Sequence, residues 1–176
     1  MNTPIQKVAL FLAQGFGLGR IPVAPGTFGS VLGVFWFALL ISSGSLWGLI
    51  AGAIAGFAGS VWLSGVGEKL LGRKDPGSVV VDEITAMPVC FFAWVGIYLR
   101  QTGALPAPGY FFSAQNWLLT LGVFAAFRLF DVLKPWPVHQ SQSLPGGWGI
   151  TVDDFLAAVY VNIVILVIYA AKKLAM

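Results

Sequence analysis

Residues 31–67 read VLGVFWFALLISSGSLWGLIAGAIAGFAGSVWLSGVG, and not one of them carries a charge. A break sits inside the stretch at Ser42-Ser43-Gly44-Ser45, where small polar residues and a glycine favour a tight turn. The stretch therefore reads as two apolar helices, about Thr27–Ser43 and Leu46–Leu63, joined back to back. Runs of this kind belong in a bilayer, whose hydrocarbon core takes ~20 apolar helical residues to cross. Three more segments follow, about Ile84–Leu99, Trp117–Val132 and Phe155–Ala171. The expected fold is an all-α polytopic membrane helix bundle of about five spans, forming one domain over residues 1–176.

Composition points the same way. The chain is 57% hydrophobic and only 10% charged, where soluble domains carry about a quarter charged residues. The net charge of +3 is small and reads as topology information, not as a nucleic-acid footprint, so no nucleic-acid partner is expected. A single cysteine, Cys90, lies in an apolar stretch. It excludes an internal disulfide framework and a cysteine zinc site, and is expected to be a small buried hydrophobe. At the N-terminus, Lys7 precedes only the short apolar run Val8–Ala13, which makes no convincing signal peptide. Ile5, Val8, Ala9 and Leu12 fall at helical spacing, so an N-terminal amphipathic helix is expected, lying on the membrane or against the protein.

Most of the apolar segments are slightly short for a span, which puts their ends at the interface. Pro88 is expected to bend the third, and Gln101–Gln115, with Pro106 and Pro108, to form an outer loop. Five spans place the N-terminus and segments 64–83 and 133–154 on one side. That side holds Lys7, Arg20, Lys69, Arg73, Lys74, Arg128 and Lys134, against Arg100, Lys172 and Lys173 opposite. The positive-inside rule makes the first side cytoplasmic, with the Lys172–Lys173 pair dissenting. Trp47 and Trp117 fall at the other rim, where interfacial tryptophans are common. Gly48, Gly52 and Gly56 form a small-residue face for close helix contact, expected mainly within the monomer. Nothing in the sequence sets an oligomeric state.

The seven carboxylates are Glu68, Asp75, Asp82, Glu83, Asp131, Asp153 and Asp154, all beside polar motifs at span ends. Ionisable groups are costly at a membrane and need a reason to stay. Asp82 and Glu83 stand just before a span. A helix N-terminus wants one acid, and two adjacent ones repel unless a cation or proton intervenes. Asp131 and Lys134 share a helix face just before Pro135 and Pro137 end the helix, with Arg128 a turn earlier. Asp153 and Asp154 repeat the pattern of a glycine-rich turn followed by adjacent acids and a span. Upstream, Gly15–Arg20 and Pro25-Gly26-Thr27-Phe28-Gly29-Ser30 offer backbone N–H groups, hydroxyls and a positive charge to an anion, but no Gly-Lys-Ser/Thr ending makes this a nucleotide loop.

Together these parts describe a hard-cation site with an anion-binding half. Mg²⁺ takes carboxylate and phosphate oxygens, and the lysine and arginines would neutralise phosphate. Phosphoryl transfer or phosphate-ester hydrolysis follows as the chemistry. A lone histidine, His139, excludes mechanisms needing several, and Cys90 has no basic neighbour in sequence. No Asp-x-Asp pair is present for an aspartyl nucleophile, and the spaced aspartates of a CDP-alcohol phosphotransferase are absent. The rival reading is a cation-coupled transporter; it predicts acids near the midplane and an inverted repeat, and no repeat is found. A structural protein using the glycine face leaves the acids unexplained.

Through these motifs, in this order and over nearly the whole chain, the sequence resembles phosphatidylglycerophosphatase A, a bacterial membrane phosphatase family converting phosphatidylglycerophosphate to phosphatidylglycerol. The resemblance implies Mg²⁺ dependence, a lipid phosphate monoester as substrate, and the bacterial cytoplasmic (inner) membrane as location, with a multi-pass chain and a site facing the cytoplasm. Where that pattern leads one to expect glycines after the two acid pairs, this chain has Ala86 and Ala158. The expected metal ligands and proton acceptor are Asp82, Glu83, Asp131, Asp153 and Asp154. The expected phosphate-binding set is Arg20, Gly26, Thr27, Gly29, Ser30, Arg128 and Lys134, and Glu68 and Asp75 are second choices.

Overall fold

The computed structural model describes residues 3–175. Its regular structure is helical throughout, with no strand among the described residues. Helix α1 (Pro4–Ala13) starts from a capping box in which Thr3 and Gln6 satisfy each other's backbone N–H. A 3-10 segment over Gly15–Arg20 leads to α2 (Pro25–Ile41). The turn expected at Ser42–Ser45 is present, with Gly44 at φ +64°, and Ser45 caps α3 (Leu46–Leu71). Then come α4 (Val81–Cys90), α5 (Phe92–Thr102), the short α6 (Pro108–Phe111), α7 (Trp117–Leu133), the short α8 (Val138–Ser141) and α9 (Gly147–Leu174).

The expectation of about five spans needs correction. Among the described residues, three helical stretches are long and apolar enough to cross a membrane: α3, α4 with α5, and α9. α2 and α7 have 17 residues each, about 25 Å of helix against a hydrocarbon core of ~30 Å. Prolines and glycines bound both, at Pro25 and Gly44 for α2 and at Pro135 beyond α7, and stop them short. The other helices run further than their apolar cores. α3 continues from Leu63 to Leu71, and α9 begins at Gly147 instead of Phe155. The acid pairs are therefore inside helices, on the first turn of α4 and the second of α9, and not in loops ahead of them.

α4 is the hub, packed against α2, α3, α7 and α9. Most of its residues are buried, including Ala86, and Ala158 faces the same core from α9. Phe37 of α2 stacks on Phe91 at 4.1 Å between ring centroids, and Phe111 meets both edge-on at 4.9 and 5.7 Å. Cys90 is fully buried in this cluster, as expected. The glycine face of α3 works inside the chain: a Cβ at Gly52 would run into Leu40, and one at Gly56 would press on Thr85 at 3.3 Å. α1 buries Ala9 and Ala13 while Ile5, Val8 and Phe11 stay exposed, so its apolar residues divide between two faces.

Pro88 does interrupt the third span, because its ring nitrogen has no proton for the carbonyl one turn back. The break between α4 and α5 is held by a residue of α9. Asn162 accepts from the Ala93 N–H at 2.6 Å and donates to the Val89 carbonyl at 2.8 Å. Asn162→Leu leaves both backbone groups without a partner, and an expected ~1–2 kcal/mol of stability is lost. Unfolding of the purified variant in detergent reads this directly; an unchanged midpoint would show that the kink stands without Asn162.

Candidate active site

The N-terminal turns of α4 and α9 come together where these two helices pack. Asp82, Glu83 and Asp154 each present an oxygen there, and the three oxygens lie within 4.8 Å of one another. Asp82 is 6% exposed and Asp154 3%. Asp82 Oδ1, Glu83 Oε2 and Asp154 Oδ2 are buried and have no hydrogen-bond partner among the described residues. Buried carboxylate oxygens that lack donors and crowd like charges are strongly unfavourable unless a cation or a proton joins them. The trio thus has the donor chemistry of a hard-cation site.

The other two expected ligands, Asp131 and Asp153, are already engaged by bases. Arg128 Nη1 on α7 lies 2.7 Å from Asp131 Oδ2 and 3.8 Å from Glu83 Oε1. The same guanidinium donates to Ser30 Oγ at 3.4 Å, and Ser30 donates to the Gly26 carbonyl at 2.8 Å. Lys134 follows α7 in a left-handed conformation, φ 44°, that turns the chain before Pro135. Its ammonium pairs with Asp153 and lies 3.7 Å from Asp131 Oδ1. Burial works against the lysine's charge, but the Asp153 carboxylate, with Asp131 behind it, outweighs burial and holds the pKa above the ordinary lysine value. The two carboxylates thus favour the charged form of Lys134.

Gly26 shows how closely the start of α2 approaches this centre. A Cβ there would overlap Glu83 Oε1 and sit 3.2 Å from both Nη atoms of Arg128. Glycine alone leaves room there for the Glu83 carboxylate and the Arg128 guanidinium. Thr27 is half-buried beside it and makes no side-chain hydrogen bond among the described residues. Gly29 has another use: a Cβ would be 2.9 Å from Val80 Cβ and 3.1 Å from the Val80 carbonyl, so its smallness seats α2 on the chain leading into α4. Arg20 is exposed and donates through Nε to Gln14 Oε1 at 2.8 Å, which ties it to the end of α1, and it forms no ion pair with the acids among the described residues.

Asp75 and Glu68 are outside the trio as well. Asp75 is exposed at φ 46° and accepts from Gln142 Nε2 at 3.4 Å. It lines a cleft of about 600 Å³ with Lys74, His139, Gly149 and Ile150. Gly149 and Ile150 precede Asp153 and Asp154 by one turn on the same face of α9, so this cleft adjoins the acid centre. Glu68 lines a separate cleft with Lys69, Arg73 and Gly146, its Oε2 buried and unpartnered.

Supporting polar residues escaped the motif reading. Thr151, two positions before Asp153, shares a hydrogen bond of 2.9 Å with Ser60 of α3, both fully buried. Gln14, 5% exposed, joins Ser78 to Arg20. The signal for Ser60 and Thr151 was their polarity inside apolar helices, which demands a partner in a bundle.

The sequence profile of the family described as Phosphatidylglycerophosphatase A matches residues 11–169. The chain is 36% identical over 174 residues to a Haemophilus influenzae protein named phosphatidylglycerophosphatase A, covering 95% of each chain. It is 33% identical over 150 residues to the Escherichia coli protein of the same name, covering 84% of this chain and 76% of that one. A Bacteroides thetaiotaomicron relative named putative phosphatidylinositol-3-phosphatase is 33% identical over 163 residues, covering 90% of this chain and 91% of its own. No solved structure matches the chain.

Proposed function

The chain belongs to the phosphatidylglycerophosphatase A family, and from that premise we propose that its acid centre hydrolyses phosphatidylglycerophosphate to phosphatidylglycerol and phosphate in phospholipid biosynthesis, with Mg²⁺ as cofactor. The observation that carries this reading is the trio of buried carboxylate oxygens without a partner among the described residues, with Arg128 3.8 Å from Glu83 and Lys134 paired to Asp153, the neighbour of Asp154. One half suits a divalent cation and the other suits a phosphate, the combination that phosphate-ester hydrolysis requires.

Asp82, Glu83 and Asp154 would hold the metal. Bound there, Mg²⁺ would polarise the phosphoryl group and activate a water for attack. Arg128 presents a guanidinium beside Ser30 and the start of α2, a donor suited to the non-bridging oxygens of a phosphate. Asp131 holds that guanidinium in place from behind. Lys134, kept charged by Asp153, adds the second positive group. Attack by water breaks the bond between phosphorus and the glycerol oxygen. One carboxylate of the centre takes the proton from water, and the departing glycerol oxygen takes up a proton as it becomes a hydroxyl.

The acids lie at the starts of α4 and α9 and the end of α7, at one end of the bundle. A site at that depth suits a lipid whose tails stay in the bilayer while its headgroup reaches the centre laterally. It suits a translocation path near the midplane less well. We place the protein in the bacterial cytoplasmic membrane with this end toward the cytoplasm, following the distribution of Lys and Arg.

Purified protein is expected to release phosphate from phosphatidylglycerophosphate with Mg²⁺ present and to stop in excess chelator. Phosphatidylinositol 3-phosphate, assayed alongside, separates the two headgroups that the relatives' names describe. Turnover that survives chelation would overturn the metal reading. Failure to cleave any lipid phosphate monoester would overturn the enzyme reading.

A further inference from the structure

At the end of the bundle away from the acids, α5 and α7 each pack on α9 but make little contact with each other. Between them runs an apolar groove of about 400 Å³. Val161, Ile165, Ile168 and Lys172 recur along one face of α9, a length of ~16 Å at 1.5 Å per residue. Gly122 and Ala126 of α7 keep the opposite wall low. A Cβ built at Gly122 would meet nothing within 4 Å, so the space there is open and not a packing contact. That length along α9 matches one leaflet, half of a hydrocarbon core ~30 Å thick, which is the reach of a single acyl chain.

Its outer end is polar and basic. Lys172 and Gln101 line the rim, and Arg100 and Lys173 are exposed beside them. The seven Asp and Glu side chains belong to the other end of the bundle, and the ion pairs among the described residues involve only Arg128 and Lys134. Three cations thus fall on the last turns of α5 and α9, where the described residues supply no acidic side chain, against the usual distribution of Lys and Arg across a membrane protein. An anionic headgroup above the groove would account for both the charge and the hollow.

We propose that this groove binds one acyl chain of an anionic phospholipid in the leaflet opposite the acid centre, with Lys172 and Gln101 holding the headgroup. This is a lipid site separate from the reaction site, and it does not depend on what the acid centre hydrolyses. Each basic residue near an anionic headgroup contributes about a fivefold preference over a neutral one.

Native mass spectrometry of the delipidated, detergent-purified chain tests this, using phosphatidylserine and phosphatidylcholine of matched acyl chains. The wild type is expected to retain phosphatidylserine preferentially. Lys172→Glu, an exposed change, should remove the preference, whereas Lys69→Gln at the other end should keep it. Gly122→Leu should reduce retention of both lipids, with circular dichroism confirming the fold. An undiminished preference in Lys172→Glu would overturn the proposal, as would an equal loss in Lys69→Gln. If Gly122→Leu instead converts a dimer to a monomer with lipid retention unchanged, a second copy covers the groove and the lipid assignment fails.

Discussion

Asp82→Asn is expected to lower phosphate release by about 10³-fold or more while leaving the protein folded. Asparagine keeps the size of the side chain and removes only the charge. Asp82 Oδ1 is buried with no protein donor, so no internal hydrogen bond depends on it. What is lost is the charge on one of three carboxylates whose oxygens group within 4.8 Å. A metal's stabilisation of transition-state charge is worth several kcal/mol, and ~4 kcal/mol corresponds to about 10³ in rate. Stability should move the other way without metal, because one of three crowded negative charges has gone. In the wild type, Mg²⁺ at about 100 times its dissociation constant should add ~2.7 kcal/mol to unfolding. In Asp82→Asn that increment should largely disappear. Melting curves with Mg²⁺ and with chelator measure it independently of turnover. Full activity, or an undiminished Mg²⁺ increment, would remove Asp82 from the metal site.

Arg128→Gln should damage both stability and turnover. The arginine is the link between α7, Glu83 of α4 and Ser30 of α2. Without it, Asp131 loses its 2.7 Å partner and faces Glu83 with nothing positive between them. Removing one partner of a buried ion pair costs ~3–5 kcal/mol. The side chains here retain 21% and 12% exposure, which places the expected loss at the low end, about 3 kcal/mol. Phosphate binding would weaken at the same time, since the guanidinium is the donor set against the start of α2 at Gly26 and Ser30. Arg128→Lys separates the two effects. It restores charge, and with it most of the stability, but lacks the planar fork that grips carboxylate and phosphate together. Low turnover in a stable Arg128→Lys protein is the expected pattern, measured by phosphate release and unfolding in parallel. Normal turnover in that variant would reduce Arg128 to a structural ion pair.

Much was legible in the one-dimensional pattern. Charge-free runs bounded by Ser-Ser-Gly-Ser, by Pro135 and by the glycines before Asp153 mark out the helices, because backbone polar groups in an apolar setting leave little alternative to a helix. Pro88 announces the kink, and Cys90 its own burial. Helix ends were harder to read. α3 and α9 carry polar residues on their terminal turns, and an apolar run stops at the first polar residue although the backbone hydrogen bonds do not. This is why Glu68, Asp153 and Asp154 were expected outside helices that contain them, and why short α2 and α7 passed for full spans.

Sequence alone determined the inventory: an all-helical chain, its acids gathered beside a few basic and glycine-rich motifs, and the family to which those motifs point. Composition and local periodicity suffice for that because each is a property of neighbouring residues. Only the tertiary structure divided the five acids into two kinds. Asp82, Glu83 and Asp154 are left with buried unpartnered oxygens, while Asp131 and Asp153 are taken by Arg128 and Lys134. It also drew Gly26 into the centre and gave Gly29 to helix packing and Arg20 to Gln14. Carboxylates in a sequence are alike; which of them keeps a free oxygen depends on the donors that distant helices bring within about 3 Å, and that distance is set by the packing of α4 against α2, α7 and α9.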